Sequence, residues 1–203
     1  MLLAKIKEAL NSLYEDIPVE QEATGDAEAE VAVEEAAPET ETVPAAEAPT
    51  DESDSGKEQE AEAEEAEPPA PPPGPRETDY KAKGYHLDVA LPPEKVVAAA
   101  EILSRENFFI EAITGVDWID EQQLEVVYDF NHFEELCRVV VRSRLERSNP
   151  EIPTISHIYH GANWHERETH DFFGIKFSGH PNLEPLLLPE DADFHPLLKD
   201  FKA

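Results

Sequence analysis

From residue 18 to residue 79 the chain contains no Leu, Ile, Phe, Tyr or Trp. The same stretch holds 10 of the 18 prolines. It sets Lys57 and Arg76 against 21 acidic residues, a net −19 of the −30 carried by all 203 residues. Such a segment cannot bury enough apolar surface to offset its ordering entropy. Residues 18–79 therefore read as a disordered acidic Ala/Glu/Pro-rich insertion, a solvated spacer rather than a partner-capturing tail. Its last part, EPPAPPPGPRETD, favours a stiff extended conformation near polyproline II. What can fold is 80–203 together with 1–17, and a domain of about 140 residues buries roughly two thirds of its unfolded surface, enough for one core.

Several functions are excluded on the same grounds. With Cys137 alone the chain makes no internal disulfide and cannot by itself supply four thiolates to zinc or an iron–sulfur cluster. No apolar run approaches 18 residues, and the N-terminus lacks a secretory core, so no membrane span or signal is expected. The acidic balance argues against nucleic-acid binding, which needs a basic footprint. The expectation is an intracellular protein, soluble or peripheral to a membrane.

Periodicity predicts the elements. Leu3, Ile6, Leu10, Leu13 and Ile17 recur in steps of three and four, an amphipathic helix over 1–17 that needs a surface to dock on. Tyr85, Leu87, Val89 and Leu91 alternate as a strand, and Pro92-Pro93 opens a helix carrying Val96, Val97, Ala100 and Leu103 on one side. FFIEAIT (108–114) reads as a second strand. LEVVYDF (124–130) and CRVVVRSR (137–144) read as a hairpin with paired indices summing to 267, which sets Glu125 against Arg142 and Asp129 against Arg138. Short helices are expected near 154–159 and 163–173, the second stopped by Gly174. The predicted fold is α+β and two-layered. A mixed, largely antiparallel sheet of about four strands carries helices on one face, and 80–173 forms the core domain.

The last thirty residues, 174–203, are too apolar to be disordered and too rich in proline to be regular. Ordered irregular stretches this long are uncommon and usually functional, so this segment reads as an extended partner-binding arm. Catalytic motifs are lacking. His165, Glu166 and His170 resemble a zinc-peptidase set, but the histidines are five apart, about 140° around a helix rather than the roughly 40° of a four-residue spacing. Gly174 and Gly179 have the spacing of a phosphate loop, yet His180-Pro181 stands where Lys-Ser/Thr is required. No catalytic, cofactor-binding or metal-ligating residue is assigned.

The stretch GANWHERETHDFFGIKFSGHPNLEPLLLPED, followed by HPLLKDF, resembles the 30 kDa subunit family of respiratory complex I, the proton-translocating NADH:quinone oxidoreductase. The signature falls in register at Glu166, Arg167, Glu168, Asp171, Phe172, Phe173 and His180. It departs at Glu184, where the family carries Lys, Arg or Pro, and around Phe194-His195, where an Asp-Trp-x-Gly-His pattern is usual. Trp164, Gly174, Pro181, Pro189, Glu190, Asp191, His195 and Pro196 complete the set expected to be structural or interfacial.

The resemblance implies a non-catalytic subunit of the peripheral arm, on the cytoplasmic side of the inner (plasma) membrane and attached to it through the complex. It implies packing on the large quinone-site subunit, next to the one that bears the terminal iron–sulfur cluster. FMN, iron–sulfur clusters and quinone would all lie in partners. It also implies that the N-terminal helix directly precedes the first strand, with 18–79 looped out between them. The equivalent subunit of an energy-converting membrane-bound NiFe hydrogenase or a related dehydrogenase is the near alternative. An autonomous acidic protein-binding module and a metallohydrolase are the alternatives of other classes.

Overall fold

The computed structural model describes residues 1–15 and 74–202. The reading of 18–73 as disordered lies outside the described residues. Helix α1 (Leu2–Asn11) buries Ile6 and Leu10 completely, with Leu3 and Leu13 packed beside them. Burial of each such side chain contributes roughly 1.5–3 kcal/mol, which is what an isolated ten-residue helix lacks. Its polar side is tied by Lys5 to Glu106 at 2.5 Å and by Lys7 to Glu77 at 2.7 Å, and the Tyr14 hydroxyl donates to the Ala90 carbonyl at 2.5 Å.

Among the described residues the main sheet has five strands, where about four are expected. Strand β1 (Arg76–Glu77) leads to a single-turn helix α2 (Tyr80–Lys83) and strand β2 (Leu87–Ala90). Helix α3 (Val96–Arg105) follows, then three long strands: β3 (Phe108–Trp118), β4 (Gln123–His132) and β5 (Arg138–Glu146). The order is β1-β2-β5-β4-β3, antiparallel except where β2 runs parallel to β5. Residues 74–79, assigned from composition to the acidic segment, thus belong to the folded part. Arg76 and Glu77 pair with Asp88 and Leu87, and the Asp79 side chain caps α2 by accepting the Lys81 N–H.

Alternation predicts the faces correctly. Leu124, Val126, Tyr128 and Phe130 point with Val139, Val141 and Leu145 into the core under the helices. The register is different: paired indices sum to 269, so Glu125 faces Arg144 and Asp129 faces Val140. The reason is that β5 finds charge partners on three strands. Arg142 bonds Asp88 of β2 at 3.0 Å, Arg138 bonds Glu111 of β3 at 2.6 Å, and Arg144 bonds Glu125 of β4 at 3.2 Å. Two of these partners lie outside the hairpin and leave no trace in its own pattern. A further hydrogen bond, His132 N–H to the Cys137 carbonyl at 3.1 Å, closes the turn one step tighter.

The region after β5 also departs from expectation. No helix forms at 154–159. The Thr154 hydroxyl accepts the Ser156 N–H and the Glu166 carboxyl accepts the Ile155 N–H, which competes with helical bonding and leaves a single turn. Helix α4 (Ala162–Phe173) ends as expected at Gly174, left-handed at φ 74°. The predicted irregular arm begins with a short strand, β7 (Lys176–Ser178), paired in parallel with β6 (Glu151–Pro153). Beyond Ser178 it is irregular.

A strapped arm beside helix α4

The family-signature residues of α4 fasten the C-terminal arm to the domain that carries it. Arg167 donates from Nε to the Glu184 carbonyl and from Nη2 to the Pro185 carbonyl, both at 2.9 Å. One turn on, Asp171 Oδ2 accepts the N–H groups of Leu186, Leu187 and Leu188 at 2.8, 2.7 and 3.2 Å. Burial would raise this carboxyl, but the three donors outweigh it, and Asp171 is held below the ordinary carboxylate range.

The arm then returns along the end of α4. His195 Nδ1–H donates to the Asp171 carbonyl at 2.8 Å, and its ring lies so close to Gly174 that a β-carbon there would meet it at 2.7 Å. The Leu197 N–H reaches the Phe172 carbonyl at 3.2 Å. Finally Asp117 of β3 accepts the Lys199 N–H at 2.8 Å and binds Arg147, which also holds Asp200 at 2.6 Å. The arm is therefore folded back on its own domain instead of reaching away from it.

This arrangement sorts the signature residues. Glu166, Arg167, Asp171, Phe172, His180 and His195 converge on the arm or its root. Phe173 packs on Gly115 of β3, where no side chain could fit: a β-carbon would sit 2.4 Å from the ring. Trp164 is 60% exposed with the Arg167 guanidinium 5.5 Å from its ring centroid. Glu168 borders a small hollow between α4 and β3 with His165 and Leu197. Pro181, Pro189, Glu190 and Asp191 are exposed, and Pro196 is half-buried. Asp117, Arg147, Thr154 and Gly115, which complete these contacts, carry no motif. An aspartate on the inward face of a strand and a glycine in mid-strand are the signals that could have marked two of them.

His165, Glu166 and His170 do not meet. His170 Nδ1–H donates to the Ile175 carbonyl at 2.9 Å, while Glu166 turns inward to Thr154 and Ile155. Among the described residues no group of three or more His, Cys, Asp or Glu side chains is placed to hold a metal ion. Apolar side chains are left on the outside of the arm: Leu187 at 60%, Leu197 at 53% and Phe194 at 40% exposure.

The fold and these contacts define an α+β domain with a polar-strapped, outwardly apolar C-terminal arm. Residues 89–203 match the family model of the respiratory-chain NADH dehydrogenase 30 kDa subunit, and the chain belongs to that family. It is 42% identical over 120 residues to the C-type subunit of the NADH-quinone oxidoreductase of Roseiflexus sp. (strain RS-1), covering 56% of this chain and 68% of that one. It is 39% identical over 93 residues to the C-type subunit of the F(420)H(2) dehydrogenase of Methanosarcina mazei, covering 45% and 59%. Among solved structures it resembles a chain of the membrane-bound sulfane sulfur reductase, an archaeal respiratory membrane complex, at 31% identity and a TM-score of 0.53, covering 57% of this chain and 71% of that one.

Proposed function

We propose that this chain is a non-catalytic peripheral subunit of a proton-translocating NADH:quinone oxidoreductase. Its role is to hold the large quinone-site subunit and the terminal iron–sulfur subunit in fixed geometry on the cytoplasmic face of the membrane. Electron transfer weakens steeply with distance, so a rigid spacer controls rate without touching an electron. FMN, the iron–sulfur clusters and quinone belong to the partners. No described helix is long and apolar enough to cross a membrane; in this reading the chain is attached through the complex.

The observation that carries this reading is the pairing of a rigid polar inner side with an apolar outer side on one irregular arm. Arg167, Asp171 and Asp117 satisfy the arm's backbone, while Leu187, Phe194 and Leu197 remain uncovered. A patch of this kind, held still at a cost in ordering entropy, marks a protein interface. A second reading is favoured by the Methanosarcina and sulfane sulfur reductase relatives: the equivalent subunit of an assembly fed by another donor, including an energy-converting NiFe hydrogenase.

Affinity purification from the native membrane tests both. The expected result is co-isolation with flavin- and cluster-bearing chains, lost in Leu187→Asp or Leu197→Asp while thermal stability is unchanged. A hydrogenase or other dehydrogenase among the companions selects the second reading. Isolation as a lone stable monomer overturns both and favours an autonomous acidic binding module.

A further inference from the structure

Glu166 is completely buried on the inner side of α4. Its Oε1 accepts the Ile155 N–H at 2.8 Å, and its Oε2 makes a very short contact with the Thr154 hydroxyl. Thr154 Oγ1 in turn lies 2.8 Å from Ser156 Oγ. The His180 Nε2, on a side chain with no exposure, stands 3.8 Å from Glu166 Oε2. His180 accepts the Asn182 N–H at Nδ1, so Nε2 carries the proton and donates to the Asn163 carbonyl at 3.3 Å.

The groups facing Glu166 from each neighbouring element are few. Strand β4 contributes the Tyr128 hydroxyl, kept neutral by burial and by Glu166 itself. The turn contributes Thr154 and Ser156, and the arm contributes His180, whose own proton affinity burial lowers. On α4, Arg167 and His170 are engaged elsewhere, on the Glu184 and Pro185 carbonyls and on the Ile175 carbonyl.

We propose that Glu166 is a proton-operated latch between α4 and the root of the C-terminal arm. When neutral, it donates to Thr154 Oγ1, the Thr154 hydroxyl donates to Ser156, and His180 stays on the Asn163 carbonyl. When ionised, it takes the Thr154 hydroxyl proton as a hydrogen bond and draws the His180 Nε2–H across to Oε2. The departing proton leaves through Thr154 and Ser156 to water. Ser156 lines a surface hollow of about 380 Å³ with His157, His160, Asn163, Trp164 and Pro181, so the route is short.

Movement of His180 shifts Gly179 and Pro181, which border the same hollow, so the charge on one buried carboxyl sets the shape of the surface beside Trp164. Burial pushes Glu166 up to about 7, against the Thr154 and Ile155 bonds that lower it, so both forms are populated near neutrality. The latch is a property of the chain alone and does not depend on the assembly it joins.

The test is a pH titration of the full-length chain by NMR, following the Glu166 side-chain carboxyl and the Ile155 and Asn182 amides. The carboxyl is expected to titrate at a proton concentration at least tenfold lower than an ordinary glutamate does, with both amides moving at the same midpoint. Glu166→Gln should remove that midpoint from both amides. His180→Gln should remove it from Asn182 and leave it at Ile155. A Glu166 carboxyl titrating at the ordinary glutamate value, or amide midpoints that survive Glu166→Gln, would overturn the proposal. If Glu166→Gln fails to fold, the wild-type carboxyl midpoint and the His180→Gln result decide it.

Discussion

Arg147 grips Asp117 with two parallel bonds, Nε to Oδ1 at 3.0 Å and Nη2 to Oδ2 at 3.2 Å, on a carboxylate that is 4% exposed. Burial alone would raise Asp117; the Arg147 bonds and the Lys199 N–H reverse this and hold it below its usual range. The pair joins the end of β3 to the turn after β5, and through Lys199 and Asp200 it clamps the far end of the arm.

Arg147→Ala leaves that carboxylate buried and unpaired, which typically costs about 3–5 kcal/mol. Arg147→Lys should recover less than half of the loss, because an ammonium cannot span both oxygens. Urea unfolding measures the first effect. Amide exchange at Lys199 that accelerates by more than exchange in β4 and β5, whose own acceleration reports the lost global stability, measures the release of the arm. Wild-type stability in Arg147→Ala would contradict the clamp.

Gly115→Ala places a methyl group 2.4 Å from the Phe173 ring, against the far end of α4. Neither a mid-strand position of β3, paired along its length with β4, nor a capped helix end can retreat freely, so a loss of roughly 1–3 kcal/mol is expected. Phe173→Leu should cost stability alone yet partly rescue Gly115→Ala, giving a coupling of at least about 0.5 kcal/mol in a double-mutant cycle. Simple additivity of the two would show that the ring is not what excludes the methyl.

The faces of β4 and β5 were legible because alternation is a local property: Leu124, Val126, Tyr128 and Phe130 must share a side whatever their neighbours are. Register was not, because Arg138 and Arg142 answer to Glu111 and Asp88 on strands far away in sequence. The same distinction divides the candidate site. Glu166, Arg167 and Asp171 stand out as a motif, but apart from the Thr154 hydroxyl on Glu166 their partners are backbone groups of 155 and 184–188. Backbone groups have no residue signature. Arg147 and Asp117 are thirty residues apart and meet only once β3 and β5 are in place.

The pH dependence of stability carries a definite sign. Between the ordinary glutamate value and about 7 the folded chain binds a proton at Glu166 that the unfolded chain has released. Stability therefore falls as pH rises through this interval and levels off above it. His180, whose affinity is lowered, acts in the opposite direction, adding stability up to its unfolded value near 6.5. Glu166→Gln isolates the first effect: relative to wild type, it should gain stability steadily from about pH 4.5 to 7, by an amount on the order of 3 kcal/mol at most. Parallel melting-temperature profiles for the two proteins across that range would refute it.

Excision of residues 19–70 should leave the fold intact. The described residues on either side of the segment approach each other: Gly74 lies against Asn11, a β-carbon there being 4.0 Å from Oδ1. The cut must spare Arg76 and Glu77, because they pair with β2 and Glu77 holds Lys7 of α1. A handful of residues bridges the remaining gap, and closure entropy varies only with the logarithm of loop length. Shortening the excursion about tenfold is therefore worth up to about 2 kcal/mol in the stabilising direction. Chemical denaturation of the excised and full-length chains checks this. A loss of more than about 1 kcal/mol would mean that 19–70 contributes contacts to the domain and is more than a spacer.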